Sequence, residues 1–227
     1  MFHCTVDIDE NIDEDLAKYF CRVDLCLRNS FEYDLYDPFD IFWRKLPYTL
    51  NLCGTNAQMS LVKIEMKNEL TIYKVNNMLE RKNRKEKCDG MIVNIGKNKE
   101  ELNIGNCAMN YYDYSTHETL AGILQSHNKN LDFLVIYQAD SLSSSYILFQ
   151  HIISNFDNIC QINFVYSLPK YSEENGFRES LQKLRKDSKF LLLAGSKDRL
   201  NMHLNLFFVN MKNRYCRERY LRYFTYF

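Results

Sequence analysis

Five histidines are the residues of this chain best suited to acid–base chemistry near neutral pH, and they lie far apart in the sequence: His3, His117, His127, His151 and His203. No G-x-S-x-G nucleophile elbow accompanies them. His151 falls on the apolar side of a predicted helix, which favours a core or interface histidine over a base. The sequence therefore predicts no catalytic residue and indicates a protein that is not an enzyme.

Phosphate-binding and metal-binding motifs are also missing from the sequence. It contains no G-x-G-x-x-G and no G-x-x-x-x-G-K-[ST]. A single glycine in LAGSKD (193–198) indicates a tight turn. The acidic stretch 7–15 lacks the glycine and terminal glutamate of a calcium-binding loop, which favours a solvated segment. We therefore predict no cofactor and no metal.

Eight cysteines leave the compartment open: Cys4, Cys21, Cys26, Cys53, Cys88, Cys107, Cys160 and Cys216. Their even number allows four disulfides. None lies in a C-x-x-C pair and none has zinc-ligand spacing with histidine. The pattern favours reduced, partly buried thiols. The absence of any N-x-[ST] sequon argues mildly against a glycosylated secreted protein.

The overall composition excludes several classes of protein. The chain has 227 residues, of which 46% are hydrophobic and 14% aromatic, so it is neither disordered nor fibrous. Its 29 basic and 29 acidic residues cancel, which argues against a nucleic-acid partner. The sequence contains no run of about 18 apolar residues, so it predicts no membrane span.

The first half gives few clear elements. We expect a short amphipathic helix over 13–20 and an irregular segment over 31–43, which contains Pro38. Alternating polarity predicts strands at 60–66 and 70–75, which are close enough to form a hairpin. The apolar run 91–96 indicates a buried strand.

The second half alternates between helical and strand patterns. Continuous apolar runs predict buried strands at 132–138, 161–168 and 190–195. Helices are expected at 116–127, 143–156, 172–188 and 197–211. This order predicts an α/β fold, a parallel sheet flanked by helices, over 111–227. Ligands of such sheets bind at the carboxyl ends of the strands, here 138–141, 167–170 and 194–197.

Segment 111–227 resembles the second lobe of the receptor-type ligand-binding region, the type I periplasmic-binding-protein fold. The likeness follows the order YYDYSTHETLAGILQSH, NLDFLVIYQADS, INFVYSLP, FRESLQKLRKDS and KFLLLAGSKD. In this family a helix and a short aromatic strand come next, and RYLRYFTYF fits the place of that strand. The amino-terminal domain of ionotropic glutamate receptors is the most similar branch. Residues 1–110 would then be an incomplete or diverged first lobe.

The resemblance implies a non-catalytic receptor ectodomain that binds a small molecule or assembles subunits. A cleft would be lined by Ser115, Thr116, Asp140 and Ser141, at the start of the crossover helix and at a strand end. The helix over 143–156 carries more apolar residues than one core-facing stripe needs. Tyr146, Phe149 and Ile153 would therefore contribute to a homo- or heterodimer interface.

A second hypothesis stays open beside the receptor. The same pattern of strands and helices also suits an intracellular Rossmann-like α/β protein, either a transferase-like enzyme or a viral or regulatory interaction protein. The first hypothesis places the chain on the extracellular side of the plasma membrane, and the second places it in the cytoplasm.

Overall fold

The computed structural model of the chain describes residues 14–34, 36–54, 62–67, 71–77, 88–95, 107–113, 122–125, 130–138, 151–152, 154–187, 189–198, 200 and 202–221. Three longer helices are α1 (Glu14–Asp34), α2 (Phe39–Cys53) and α3 (Glu174–Asp187). The strands are β1 (Val62–Lys67), β2 (Thr71–Asn77), β3 (Cys88–Ile95), β4 (Cys107–Asp113), β5 (Phe133–Gln138), β6 (Gln161–Ser167), β7 (Phe190–Lys197) and β8 (His203–Asn210). Residues 214–221 form the C-terminal helical segment, which begins as an α-helix at Arg214–Cys216 and continues as a π-helical turn at Arg217–Leu221.

Six strands form one mixed sheet in the order β4-β3-β5-β6-β8-β7. The pairs β3–β4, β3–β5 and β5–β6 are parallel. β8 is antiparallel to both of its neighbours, β6 and β7. β7 therefore runs in the same direction as β6. The sheet thus has five strands that run in one direction, and the antiparallel strand β8 lies between two of them, β6 and β7.

The α/β class is as predicted, but the sheet is mixed rather than fully parallel. The helix expected over 197–211 is wrong, because β8 occupies His203–Asn210. The run LNLFFV is apolar on successive positions, and a short run of this kind does not distinguish a buried strand from a buried helix. Burial on both faces of β8, with two phenylalanines and a valine, stabilises it as a strand.

Some of the other expected elements are confirmed and others are wrong. The β1–β2 hairpin is confirmed as an antiparallel pair, and the strands expected at 91–96, 132–138, 161–168 and 190–195 correspond to β3, β5, β6 and β7. The irregular segment expected at 31–43 is wrong, because Pro38 precedes α2, where a proline costs no helical hydrogen bond. The short aromatic strand expected over 219–227 is wrong over 219–221, which is helical, and its remaining residues lie outside the described ones. β4 was not predicted.

The described parts of two expected helices are helical, at 122–125 and at 151–152 with 154–155. The helix expected at 172–188 is confirmed as α3, after a short 3-10 turn at Tyr171–Glu173. The main sheet takes β3 and β4 from the first half of the chain, and β4 itself crosses residue 110.

Aromatic side chains fasten α2 and α3 to one face of the sheet near β6. The Phe177 ring lies 5.4 Å from Trp43 and 5.2 Å from Tyr166, both edge to face. Arg178 Nη2 donates to the Asp37 carbonyl at 2.7 Å, and its guanidinium lies 4.9 Å from the Phe42 ring. Each such pair adds about 1 kcal/mol beyond burial of its surface. These contacts position α2 beside β7.

Two disulfides link described parts of the chain. Cys26 in α1 is bonded to Cys53 at the end of α2, and Cys160 is bonded to Cys216 in the C-terminal helical segment. Cys21 is also disulfide-bonded. No described cysteine is free. The expectation of reduced thiols is therefore wrong for these cysteines, because the fold brings together residues 27 and 56 positions apart.

A buried carboxylate, Asp132, joins the amino ends of the central strands to the C-terminal helical segment. Its Oδ1 accepts hydrogen bonds from Tyr220 at 2.6 Å and Tyr215 at 3.3 Å. Arg219 Nε lies 3.1 Å from the same oxygen. The other oxygen accepts from the Asp89 backbone N–H at 2.8 Å. Burial, followed by the charge of Asp132, raises the pKa of Tyr220, so this hydroxyl stays a donor.

We predict that Asp132→Ala lowers the free energy of unfolding by about 3 kcal/mol or more, because it leaves the buried Tyr220 hydroxyl without its acceptor and removes the carboxylate that pairs with Arg219. Chemical denaturation followed by circular dichroism measures this loss. Glu218→Ala is the matched control, since it removes a carboxylate from the same segment at an exposed site. Equal stability of the two variants would contradict the role given to Asp132.

We also predict that Cys26–Cys53 and Cys160–Cys216 are recovered as linked peptides when the protein is digested without reductant. Peptide mapping by mass spectrometry with and without reduction measures the two links. The control is the same digest after alkylation under native conditions, in which these four thiols are expected to stay unlabelled. Quantitative alkylation of all four would contradict the pairing.

Candidate functional site at the carboxyl edge of the sheet

Five parallel strands end at one edge of the main sheet, which is called the carboxyl edge below. The strands β3, β4, β5, β6 and β7 end there at Ile95, Asp113, Gln138, Ser167 and Lys197. β3 pairs with β4 on one side and with β5 on the other. The connection after β4 therefore crosses back over β3, and this reversal opens the crevice in which α/β sheets bind ligands.

The strand register shows which residues flank this crevice. Asn94 is the partner of Asp113 in the β3–β4 pair and of Tyr137 in the β3–β5 pair. Ile95 is the partner of Gln138. Asp113 is an acidic residue of β4. It thus lies level with the end of β3, the first parallel strand, and one strand away from the crevice.

The site residues expected from the sequence lie outside the described residues: Ser115, Thr116, Asp140 and Ser141, together with the interface residues Tyr146, Phe149 and Ile153. β4 ends two residues before Ser115, and β5 ends two residues before Asp140. The strand end that led to Asp140 is thus observed, while the roles of all seven residues stay predictions.

An Asp–His pair occupies the carboxyl edge at the β7–β8 connection. Asp198 follows β7 and is 5% exposed. Its Oδ2 lies 2.8 Å from Nδ1 of His203, the first residue of β8. Its Oδ1 accepts hydrogen bonds from the backbone N–H groups of Met202 at 2.8 Å and His203 at 3.3 Å. Both carboxylate oxygens are therefore held in place.

Polar side chains share one face of the sheet beneath this pair. Ser167 is the direct partner of His203, and Asn205 is the partner of both Val165 and Ser196. Because partners in antiparallel strands point to the same face, Ser167, His203, Asn205 and Ser196 lie together. Ser196 Oγ is buried and makes no hydrogen bond to any residue that the structure describes. This corner of the sheet is polar where a simple core would be apolar.

Lys197 lies on the other face, beside α2. It is the partner of Leu204, which is one residue away from His203 and so points the opposite way. Asn51 of α2 donates to the Gly195 carbonyl at 2.8 Å. A Cβ on Gly195 would lie 3.1 Å from Pro47 Cα, so the glycine allows this close approach. Burial, followed by the charge of Arg44, lowers the pKa of Lys197 to about 8, against the opposing effect of Asp198.

The Asp–His pair was missed because His203 was assigned to a helix. On a helix, residues five apart do not face each other, so Asp198 and His203 were not considered together. The useful signal was the alternative reading of 190–210 as two apolar runs joined by the polar segment 198–202, which is typical of a hairpin. His151, expected in the core or an interface, is exposed, and its Nδ1 lies 3.1 Å from Asn155 Nδ2.

Among the described residues, no cluster of three or more histidines, cysteines or carboxylates is arranged to bind a metal ion. No helix within the described ranges is long and apolar enough to cross a membrane.

Comparison of the chain with protein-family models, with curated proteins and with solved structures found no match.

We predict that Lys197 is the lysine most rapidly acylated at pH 8. At that pH it is about half neutral, whereas a lysine of ordinary pKa is less than about 1% neutral. Labelling with a small amine-directed reagent and peptide mass spectrometry measures the rates. Arg44→Gln removes a cation, raises the pKa of Lys197 and slows its labelling, while Arg214→Gln in the C-terminal helical segment leaves the rate unchanged. A labelling rate equal to that of exposed lysines would contradict the low pKa.

Proposed function

We propose that this protein is a transferase-like Rossmann protein that binds an adenine nucleoside at the carboxyl edge of its sheet. The observation that carries the proposal is the β4-β3-β5 strand order, with Asp113 at the end of the second parallel strand. In nucleotide-binding sheets of this kind an acidic residue about 20 residues after the first strand binds the ribose hydroxyls. Asp113 follows β3 by a similar distance and lies level with Asn94.

The missing glycine motif narrows the class of nucleoside. Dinucleotides need a glycine-rich turn after the first strand so that backbone N–H groups can approach the pyrophosphate. The segment 96–106, GKNKEELNIGN, has glycines only at its first and tenth positions. An acid suited to ribose without a cradle for pyrophosphate favours a nucleoside that lacks a diphosphate. S-adenosylmethionine is the group donor of that description.

The position of β8 gives independent support. The resemblance to receptor ligand-binding lobes implied a helix where β8 lies, so β8 favours the transferase-like hypothesis. The receptor role, the small-molecule cleft and the dimer stay predictions.

The disulfides support a compartment that differs from the one paired with the transferase-like hypothesis above. Structural disulfides persist in oxidising environments and are rare in the cytosol. Two are described here, and a third involves Cys21. We therefore propose that the chain folds in the secretory pathway or outside the cell, a location that the receptor hypothesis also requires.

Binding of S-adenosylhomocysteine, measured by calorimetry, tests this function. We predict that the wild-type chain binds it and that Asp113→Asn weakens binding about tenfold or more, because a charge-assisted hydrogen bond to ribose contributes roughly 1.5–3 kcal/mol. Asp157→Asn, which changes an exposed aspartate before β6, is the matched control and keeps wild-type affinity.

Reduced nicotinamide dinucleotide serves as the competitor in the same experiment and is expected not to displace the ligand. Displacement by the dinucleotide would contradict the argument from the missing glycine motif. Failure of the wild-type chain to bind S-adenosylhomocysteine at millimolar concentration would overturn the proposed function.

A further inference from the structure

We infer that Asp198 and His203 form a general-base pair that accepts a proton from a substrate bound at the carboxyl edge. That the substrate is the acceptor of a group transfer rests on the proposed function. The pair itself rests on geometry that is independent of any nucleoside.

The Asp198 carboxylate fixes the imidazole of His203 in one orientation. Oδ2 lies 2.8 Å from Nδ1, and the carboxylate is buried while the His203 side chain remains 15% exposed. A buried acceptor at Nδ1 favours the tautomer that carries its proton there, which leaves a lone pair on Nε2. Nε2 makes no hydrogen bond to any residue that the structure describes.

Forming the turn does not by itself explain this arrangement. Oδ1 of Asp198 already accepts the two backbone N–H groups that close the β7–β8 connection. An asparagine or serine at this position would supply the same single acceptor. The second oxygen is used only to hold the imidazole, and a carboxylate does this better than an amide because it stabilises the positive charge formed on protonation.

The position of the pair also suits a reaction. His203 begins β8, next to the ends of β6 and β7, and Ser167 at the end of β6 is its direct partner on the same face. Lys197 points to the opposite face, so its charge lies across the sheet from the imidazole. The pair therefore lies at the edge where α/β sheets bind their ligands.

His203 Nε2 takes the proton that a hydroxyl or amine acceptor loses as its oxygen or nitrogen forms a bond to the transferred carbon. The carbon–sulfur bond of the donor breaks, and its electron pair stays on sulfur. The imidazolium that results donates to Asp198 through Nδ1. The donor supplies an electrophilic carbon, and His203 and Asp198 supply only the acceptance of the proton.

Nitrogen-15 NMR of the full chain, labelled at histidine, tests the tautomer directly at pH 8. We expect wild-type His203 to show a protonated Nδ1 and an unprotonated Nε2, and Asp198→Asn to show a mixture of tautomers or the reverse one. His151, which is exposed and contacts Asn155, is the internal control and is expected to keep its signals in both proteins.

Acylation with diethyl pyrocarbonate gives the second measurement. His203 is expected to react through Nε2, and Asp198→Asn to slow this reaction about tenfold, with partial recovery in Asp198→Glu and an unchanged rate at His151. A wild-type His203 protonated at Nε2, or a rate that does not depend on Asp198, would overturn the assignment.

Calorimetry with S-adenosylhomocysteine separates this inference from the proposed function. His203→Gln is expected to keep wild-type affinity, because the base faces the acceptor and not the nucleoside. Loss of binding in a folded His203→Gln protein would overturn the role as a base. If the wild-type chain binds no nucleoside while the tautomer and the acylation rates are as expected, the proposed function fails and the general-base pair stands for another reaction.

Discussion

The antiparallel strand β8 is the constraint on which the rest of the second half depends. It is buried from Leu204 to Asn210 and pairs along its length with β6 on one side and β7 on the other. Because β8 runs antiparallel to both neighbours, β7 runs parallel to β6. The β7–β8 turn is thereby brought to the carboxyl edge, and with it Asp198 and His203. A helix in the same place would have left His203 without its carboxylate.

The two edges of the sheet carry different kinds of polar group. At the amino edge the buried carboxylate of Asp132 is satisfied by two tyrosine hydroxyls, an arginine and a backbone N–H, and the Cys160–Cys216 disulfide lies before β6. This cluster links the C-terminal helical segment to the amino ends of the central strands. At the carboxyl edge, His203 keeps one ring nitrogen without a partner among the described residues. The Asp132 cluster and the proposed general-base pair thus lie at opposite ends of the strands.

The strands that are buried on both faces could be predicted from sequence, and the register between them could not. The apolar runs of β5, β6 and β7 are nearly continuous, so buried strands and the α/β class follow from the pattern of the sequence. β8 is equally apolar, but its place between β6 and β7 depends on a choice that its own sequence does not determine, namely the strands beside which the chain continues after β7. The pairings of Ser167 with His203 and of Cys160 with Cys216 depend on that choice, and no local pattern records it. α2 was missed because Pro38 was read as a breaker inside a segment when it precedes a helix.

The proposed site is formed by strand register, which leaves no short motif in the sequence. Asp113 and Asn94 lie side by side across a strand pair although residues 96–106 separate their strands in the sequence. Asp198 and His203 are near in sequence, but only a hairpin, and not the expected helix, lets the carboxylate reach the imidazole. The residues of the proposed site therefore become visible only with the strand order. The absence of a glycine-rich turn from the sequence limits the class of ligand that we propose for the same crevice.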